Sequence, residues 1–493
     1  MRLLDSLLLY NDSVACTKWP SDHQITRLMK KRLKIRHFLI FVFVILSGSW
    51  ASAMCLPVTA VVQLQKQFHF RPELDLEQLC SPESVDYKLA STLLFLKYTK
   101  LPATTNPLDQ NVLPENIWSY ISSAVKTIVK VAKCEPEQLA YVKEESPGAI
   151  HLCPDYFNTA IHSSIERAAT LIHEVRHLDE NAHYYPHVTC AQGRNKASKG
   201  ACDGSREEAG GYAVEMEALA RFAALPEGII SKLERSQAKS AALVLANEKF
   251  NKPLFSHELR GLYLVDQHDQ GFVLDPSSWK LYPVRKVDHR QENLVSRLTT
   301  LSAFPLSEGD SYSVDVLSSS FQKRISLGSY AASFNSLPQS QKPRVLRIFN
   351  DGLLAGFVIT EHEIISYAGT SFEQRTALPF KVIQTFDFME AGQGTDAAIF
   401  LLDEHQNLYK VSTIYGRVVD VKTIDNVLKD FKTIVYVNGQ RLALGKNGEL
   451  LIQRHGIWHQ HEAFLKTRFR LMSRPFYWAS FLFEPRQTSQ NSK

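Results

Sequence analysis

The sequence lacks the short motifs by which several large enzyme classes are recognised. It has no Gly-x-Ser-x-Gly nucleophile elbow, no glycine-rich phosphate loop and no Cys-x-x-Cys pair. These absences exclude an α/β-hydrolase serine nucleophile, a phosphate-loop nucleotide hydrolase and a thioredoxin-like redox centre. Any chemistry must therefore rest on other residues.

The sequence also has little net charge outside one short segment. Residues 1–36 hold eight basic and three acidic side chains, which account for the whole formal charge of +5. This positive charge belongs to a targeting segment, so it does not indicate a basic surface for nucleic acid. We predict no nucleic-acid partner.

Long apolar runs are scarce. The run 38–46 is far shorter than the roughly 18 residues of a membrane-spanning helix. It follows a basic stretch and precedes Ala51-Ser52-Ala53, which is the order of a secretory signal peptide over 29–53. An uncleaved short anchor is the alternative. We expect translation to start at Met29, with 1–28 an upstream extension, and a periplasmic or secreted protein that has no transmembrane anchor after cleavage.

Cysteine is absent after residue 202. Leaving out Cys16, which precedes the expected start, six cysteines remain in the mature chain: Cys55, Cys80, Cys134, Cys153, Cys190 and Cys202. An even number of cysteines in an exported chain indicates a disulfide framework. Six cysteines allow fifteen pairings, of which the nearest-neighbour set is the simplest.

The residue patterns divide the chain into a helical part and a β-rich part. Apolar residues recur at three- and four-residue spacing between 84 and 245. This spacing predicts helices in the segments 84–100, 115–134, 164–180, 207–226 and 227–250. After about 255, four hairpin-like segments (261–275, 355–369, 398–412 and 441–456) and a fifth candidate (311–327) follow one another. Where neighbouring turns can be compared, they lie 42 and 43 residues apart (361 to 403 and 403 to 446), which is typical of propeller blades.

We therefore predict a multidomain protein, α then β. A disulfide-braced helical domain should cover 54–250, an all-β, propeller-like domain of about five short blades 255–470, and a C-terminal tail 471–493. An irregular β-sandwich is the alternative for the second domain.

The stretch Thr170–Cys190 contains His-Glu-x-x-His. His173 and His177 are four residues apart and so share one face of the predicted helix, where both rings can direct a nitrogen at one cation. Glu174 lies beside them, within reach of a water on that metal, and could act as its general base. A surface helix with solvated histidines is the alternative.

This arrangement resembles the zincin metallopeptidases, in which such histidines bind zinc and the glutamate is the general base. The resemblance, also seen to uncharacterised exported bacterial proteins bearing the motif, implies Zn²⁺ as cofactor, His173 and His177 as ligands and Glu174 as catalytic base. It covers the motif helix and about fifty following residues.

The third metal ligand is not fixed by the sequence. His183 has the metzincin spacing, but Glu180 stands where that pattern has glycine. Asp203 resembles the aspartate ligand of the deuterolysin-type (aspzincin) peptidases, and a glutamate on a later helix would resemble the gluzincins. Our order of preference is Asp203, Glu208, Glu215, His187 and His183.

Tyr212 is a candidate for stabilising the oxyanion or a ligand through its hydroxyl, with packing in the core as the alternative. The predicted function is hydrolysis of a protein or peptide substrate by an exported zinc metallopeptidase, with a possible protein partner on the propeller. One alternative is an envelope or extracellular binding protein whose propeller binds a partner and whose zinc domain is structural or catalytically silent. Another is a metal-dependent hydrolase of cell-wall peptides.

Overall fold

The computed structural model describes residues 55–483, with short gaps. The gaps are 136–137, 159–161, 180–185, 192–196, 198, 227, 285–292, 298–299, 305–309, 315–321, 327–344, 351–354, 369–371, 389–397, 415–416 and 425–429. The expected extension 1–28, the expected signal peptide 29–53 and the candidate ligand His183 lie outside the described residues.

The N-terminal part is mainly helical and encloses one large apolar core. Its helices are α1 (Val58–Gln67), α2 (Val85–Tyr98), α3 (Ile117–Ala124), α4 (Ser164–Leu178), α5 (Gly211–Ala223) and α6 (Lys232–Glu248). Capping boxes start α4 and α6: Ser163 pairs with Glu166 and Ser231 with Glu234, so the first free amides of each helix have acceptors. The helices predicted around 85–98, 164–178, 211–223 and 232–248 are confirmed.

A small sheet accompanies these helices, which the sequence analysis did not predict. Its strands are β1 (His69–Arg71), β2 (Thr127–Lys130), β3 (Ala140–Val142) and β4 (Ala149–Leu152), in the order β1-β2-β4-β3. Residues 115–134 were predicted as a single helix, but the helix ends at Ala124 and the β-branched run after it forms β2. Strand β3 is an edge of the sheet and pairs antiparallel with β4.

Three disulfides brace this part, and they are the nearest-neighbour set. They join Cys55 to Cys80, Cys134 to Cys153 and Cys190 to Cys202. Cys190, Cys202 and Cys153 are buried. The disulfide framework predicted from the even cysteine count is therefore confirmed.

The C-terminal part is a propeller-like arrangement of antiparallel sheets. Each of the four predicted hairpins supplies the two central strands of a four-stranded sheet. These sheets are β24-β5-β6-β7, β12-β13-β14-β15, β16-β17-β18-β19 and β20-β21-β22-β23. Their strands are β5 (Arg260–Asp266), β6 (Gly271–Asp275), β7 (Lys280–Val284), β12 (Val345–Asn350), β13 (Ala355–Thr360), β14 (Glu363–Ala368), β15 (Phe372–Ala377), β16 (Val382–Phe388), β17 (Ala398–Asp403), β18 (Leu408–Ile414), β19 (Arg417–Ile424), β20 (Phe431–Val437), β21 (Gln440–Gly445), β22 (Leu450–Arg454), β23 (Ile457–Gln460) and β24 (Phe469–Tyr477).

Among the described residues there are four four-stranded blades, whereas about five blades were predicted. Two hairpins make up the rest: β8 (Asn293–Arg297) with β9 (Thr300–Phe304), and β10 (Asp310–Val314) with β11 (Gln322–Ser326). Strand β8 lies between β24 and β12, so the innermost strands contact one another in a closed ring. The fifth predicted repeat, 311–327, is thus a hairpin in a two-stranded sheet.

The last strand returns to the first blade and then to the helical part. Strand β24 pairs antiparallel with β5 over residues that the sequence analysis assigned to a tail. Its last residue, Tyr477, joins the apolar core of the helical part, as do Ala479 and Leu482 beyond it; α7 (Ser480–Phe483) is the last described element. Among the described residues, no helix is both long and apolar enough to cross a membrane.

Candidate metal centre

Helix α4 supplies the first two metal-binding candidates. Its apolar residues pack into the helical core, and the run from Arg167 to Val175 is buried. His173 and His177 follow one another by one turn on another face, as the spacing predicts. Their Nε2 atoms lie 3.2 Å apart.

A third imidazole completes the group. The Nε2 atom of His187 lies 2.9 Å from Nε2 of His173 and 3.1 Å from Nε2 of His177. Within the described part of the chain, these three histidines form the group of side chains that could hold a metal ion. His187 comes from a segment outside any helix, which is why its approach to α4 could not be predicted from periodicity.

Two carboxylates support the imidazoles from behind. Nδ1 of His173 lies 2.9 Å from Oε2 of Glu215, and Nδ1 of His187 lies 3.0 Å from Oδ1 of Asp203. A carboxylate accepts from Nδ1–H, which leaves the lone pair on Nε2 of the same ring. Such carboxylate–histidine pairs orient metal ligands in many proteins.

The donor set fits a metal ion. Burial, followed by the charge of His187, lowers the pKa of His173 to about 3, so the ring is neutral near neutral pH. When both rings carry a single proton on Nδ1, towards their carboxylates, the two Nε2 nitrogens cannot hydrogen-bond to each other, whereas a shared cation satisfies both. Tetrahedral zinc with bonds of about 2.0–2.1 Å separates its nitrogens by about 3.3 Å. The observed separations of 2.9–3.2 Å are close to that value.

Glu174 lies next to this group and is 6% exposed. Burial, followed by the charge of Glu215, raises the pKa of Glu174 to about 8. A carboxyl group whose pKa lies near the working pH is suited to accept a proton and return it. Burial and the charge of Glu215 are therefore what bring the pKa of Glu174 into this range.

The ring of Tyr212 packs against the imidazole rings of His173 and His187. Its ring centroid lies 4.7 Å from that of His173 and 4.5 Å from that of His187. Nζ of Lys249 lies 3.4 Å from the Tyr212 hydroxyl and 4.6 Å from the ring centroid. Burial, with the charges of Glu215 and Asp203, raises the pKa of Tyr212, so the phenol stays protonated. Tyr212 thus forms one wall of the site.

Two consecutive glycines let α5 approach the site. A Cβ atom at Gly211 would lie 2.7 Å from Nε2 of His173, and one at Gly210 would lie 2.7 Å from Oδ2 of Asp203. A side chain at Gly211 would therefore displace Nε2 of His173, and one at Gly210 would displace the Asp203 carboxylate. The sequence analysis did not single out Lys249 or these glycines, although the Gly-Gly pair was a visible signal.

The remaining candidate ligands lie at different distances from the imidazoles. Asp203 and Glu215 contact the Nδ1 side of the rings, away from the Nε2 cluster. Glu208 is exposed, in a 3₁₀ turn (Arg206–Glu208) that precedes α5, so it does not share a helical face with Tyr212. The three-donor group contains His187, which stood fourth in the sequence-based order.

A cleft of about 700 Å³ opens beside His177. The end of α4, the end of α3 and the edge strand β3 with its following turn line it. Strand β3 packs against α4 and is an edge strand of its sheet. The cleft is lined by two basic residues, Lys126 and Lys143, and two acidic residues, Glu144 and Asp179, so the lining has no net charge.

Comparison with known families points to the same region. Residues 114–212 match the family model of the lysine-specific metallo-endopeptidases, the aspzincins. The match begins before α3 and ends at Tyr212, so it includes the cleft, the His-Glu-x-x-His helix, His187 and Asp203. It covers about a fifth of the chain and leaves the propeller-like part out.

Other comparisons add little. No curated protein matches the sequence. A chain from a solved structure of S. cerevisiae dbp5 bound to nup159 and gle1, with IP6 and ADP, is 14% identical over 47% of this chain and 53% of that chain. Its TM-score is 0.20, so this likeness carries no argument about fold or function. This chain spans about half the length of that chain.

Proposed function

We propose that the protein is an exported zinc metallopeptidase that hydrolyses peptide bonds. The observation that carries the proposal is the convergence of three Nε2 atoms, two of them on rings whose Nδ1 atoms face carboxylates. The aspzincin match over the same residues is a match to metallo-endopeptidases, which supports a hydrolase.

In this proposal His173, His177 and His187 hold the zinc ion. A zinc ion held by three imidazoles supplies a Lewis acid that polarises a carbonyl and lowers the pKa of water. Glu174 takes a proton from the attacking water and returns it to the leaving amine. Asp203 and Glu215 fix the tautomers of His187 and His173, and the partly buried ring of Tyr212 packs against both of these imidazoles.

The substrate in this proposal is an extended peptide. Strand β3 offers unpaired backbone groups at the edge of a sheet, and an extended chain can add to such an edge through main-chain hydrogen bonds. The cleft beside it leads to His177. The lysine preference in the name of the matched family is not carried over, because the cleft lining has no net charge.

Export is supported by the three disulfides, which form in oxidising compartments. The propeller-like part in this proposal binds a protein partner or the substrate. We further propose that the hairpins β8–β9 and β10–β11 together make its fifth blade, because β9 lies beside β10 and β8 completes the inner ring.

The first test measures metal and activity together. We expect the mature chain to hold one equivalent of zinc and to cleave casein, with cleavage abolished by a chelator and restored by zinc. One equivalent of zinc without cleavage of casein or other broad substrates would favour the binding-protein alternative. Turnover of isolated peptidoglycan without cleavage of casein would favour a hydrolase of cell-wall peptides.

The second test separates the base from the ligands. Glu174→Gln should keep zinc at one equivalent and lower kcat by at least about 100-fold, because the proton acceptor is lost while the imidazoles remain. Glu208→Gln, an exposed acidic residue in the matched region, is the control and should change neither property. Retained activity in Glu174→Gln would remove Glu174 from the role of base.

A further inference from the structure

The third metal-binding histidine is delivered by a segment that has no helix or strand of its own. His187 lies between a stretch outside the described residues and the isolated bridge that Val188 makes with Cys202. His173 and His177, by contrast, sit on a capped 15-residue helix whose core face is buried. Whatever fixes residues 187–191 therefore decides whether the group has three nitrogens or two.

The Cys190–Cys202 disulfide is the covalent attachment of that segment. Cys190 follows His187 by three residues, and Cys202 immediately precedes Asp203, whose carboxylate lies 3.0 Å from His187 Nδ1. The disulfide thus joins the segment that carries His187 to the segment that carries Asp203, whose carboxylate orients the His187 ring. Val188 N donates to Cys202 O at 2.7 Å, which aligns the two strands in register.

The Asp203 side of this pair is already anchored elsewhere. Asp203 N donates to Lys249 O at 2.9 Å and Asn251 N to Asp203 O at 3.1 Å, so Asp203 is tied to the end of α6. The His187 side is attached to the same place through a single side chain. The Asn251 side chain accepts from Ala191 N at 2.7 Å and donates to Thr189 O at 2.9 Å.

We infer that formation of the Cys190–Cys202 disulfide completes the metal site by positioning His187. The inference rests on the proposed function and deepens it: the site is a two-histidine site in the reduced chain and a three-histidine site in the oxidised chain. Cys190 and Cys202 do not touch the metal-binding atoms, so they are positioning residues.

The redox step is ordinary thiol–disulfide exchange. The two thiols lose two electrons and two protons, and the Cys190–Cys202 bond forms. A disulfide-bonded oxidant in the oxidising compartment to which the chain is exported is reduced to its dithiol. A chain still in a reducing compartment then lacks tight metal binding. The peptidase would become active only where the disulfide forms, which protects the proteins of the compartment of synthesis.

The experiment compares the oxidised protein with Cys190→Ser/Cys202→Ser. We expect the double variant to bind zinc at least about tenfold more weakly in a chelator competition, the range found when ligand-orienting groups are lost. Its bound Co²⁺ should give a visible spectrum different from that of the wild type, because a nitrogen ligand has been replaced. Zinc affinity within about twofold of wild type would overturn the inference.

The matched control is Cys134→Ser/Cys153→Ser. It removes a disulfide of comparable sequence separation, 19 against 12, that joins chain segments not carrying any of the three histidines. We expect this variant to lose stability while keeping zinc affinity and the Co²⁺ spectrum. An equal loss of zinc affinity in both variants would mean that general destabilisation, not the position of His187, is responsible.

A second pair of variants keeps all disulfides and so covers a failure of the double variant to fold. Asn251→Ala removes the side chain that fastens Thr189 and Ala191 and should weaken zinc binding several-fold. Asn247→Ala removes a side chain of the same type, which accepts from Leu259 N at 2.8 Å and donates to Leu243 O at 2.7 Å, and should leave zinc binding unchanged. Zinc binding in Asn251→Ala as weak as in His187→Ala would contradict the inference, because the intact Cys190–Cys202 disulfide would then fail to hold His187 in place.

These readouts do not depend on activity. If the oxidised wild type binds no zinc, the proposed function fails at its first step. If the wild type binds zinc but cleaves nothing, the peptidase proposal fails while the positioning of His187 is still measured. If wild type and Cys190→Ser/Cys202→Ser bind zinc equally, only the present inference fails.

Discussion

At the scale of single residues, the carboxylates behind the imidazoles are as informative as the imidazoles themselves. Glu215 is partly buried on α5 and also accepts from Thr170 Oγ1 at 3.4 Å, while Asp203 accepts from Ala213 N at 3.1 Å through its second oxygen. Each carboxylate is therefore held in place before it meets a histidine. Such fixed partners orient ligands and raise their basicity.

Substituting these carboxylates by amides should weaken metal binding without removing a ligand. We expect Glu215→Gln and Asp203→Asn each to lower zinc affinity by about 10- to 100-fold, because a neutral acceptor supports Nδ1–H less well. Competition with a chelator of known affinity measures the change. Glu207→Gln, at an exposed acidic residue of the same region, is the control. Unchanged affinity in both amide variants would remove these carboxylates from the site.

A second histidine, away from the metal group, should govern acid stability. His162 is 6% exposed and its Nε2 lies 3.0 Å from Thr170 Oγ1. Burial, followed by the charge of Arg167, lowers its pKa from 6.5 to about 3. As the pH falls below 6.5, the unfolded chain binds a proton that folded His162 does not bind until about pH 3. Its contribution to stability is thus present above pH 6.5 and is lost between these two values.

Replacing His162 by an uncharged residue should therefore flatten the pH dependence of stability. In the wild type this group lowers the free energy of unfolding by up to about 1.4 kcal/mol per pH unit in that window. His162→Gln, which keeps a polar group for Thr170, should lose this slope. Urea denaturation at several pH values between 3 and 7 measures it. The same slope in both proteins would contradict the expectation.

Sequence reasoning predicted two of the three histidines directly and left the third, His187, as the fourth of five candidates. His173, Glu174 and His177 follow from helical periodicity, because a spacing of four fixes their common face whatever surrounds the helix. His187 comes from an irregular segment, where no periodicity relates sequence distance to spatial distance. The signal that could have found it is the pair of cysteines, since His187 and Asp203 flank Cys190 and Cys202.

At the scale of elements, three blades share one turn geometry that their sequences only partly reveal. In the β5–β6, β17–β18 and β21–β22 turns, the amide of the first residue donates to the carbonyl of the fifth: Asp266 to Gln270, Asp403 to Asn407, and Gly445 to Glu449. The fourth residue has a positive φ in each turn: 63° at Asp269, 67° at Gln406 and 86° at Gly448. The left-handed position is thus a property of the blade turn.

The glycine among these three should be required, whereas the glutamine should not. A Cβ atom at Gly448 would lie 2.5 Å from the carbonyl oxygen of Phe469 in β24, in addition to the cost of a left-handed side chain. We expect Gly448→Ala to lower the free energy of unfolding by about 2 kcal/mol or more. Gln406→Ala, at the equivalent place in another blade, should change it by less than about 0.5 kcal/mol.

Denaturant unfolding of the two alanine variants measures this difference. Equal stability of Gly448→Ala and wild type would mean that β24 moves away from the turn at little cost. The comparison isolates the turn, because both variants place the same side chain at a positive φ.

Helices and strands were predicted well where apolar and polar residues alternate regularly. They were predicted poorly where one apolar segment changes from helix to strand. The four hairpins alternate apolar and polar residues, and all four were found as paired strands. Residues 115–134 carry apolar residues that suit a helix and a strand alike, so Thr127–Lys130 was missed as β2. Tertiary pairing with β1 and β4 decides the outcome there.

At the scale of the whole molecule, the helical part and the propeller-like part are joined by packing and hydrogen bonds as well as by the connecting chain. Glu248, at the end of α6, hydrogen-bonds to the hydroxyl of Tyr477 in β24, and Arg260 of β5 donates to that hydroxyl at 3.0 Å. The next residue, Lys249, contacts Tyr212 in the metal site. The sequence did not indicate this return, because β24 lies beyond the last repeat and was assigned to a tail.

The last described residues should therefore stabilise the helical part, although the propeller separates them from it in sequence. Leu482 is 6% exposed within the core of the helical part, so Leu482→Ala should lower the free energy of unfolding by about 2–5 kcal/mol. Leu465→Ala changes the same side chain at a position that is 55% exposed and should cost less than about 0.5 kcal/mol.

Far-ultraviolet circular dichroism of the helices during denaturant unfolding distinguishes two architectures. If the C-terminal return holds the helical part together, the helical signal of Leu482→Ala is lost at a lower denaturant concentration than that of Leu465→Ala. If the helical part folds independently of the return, the two variants lose their helices together, and the propeller is an attachment that could be removed without harm to the metal site. The burial of Tyr477, Ala479 and Leu482 in one core with α4 and α5 favours the first result.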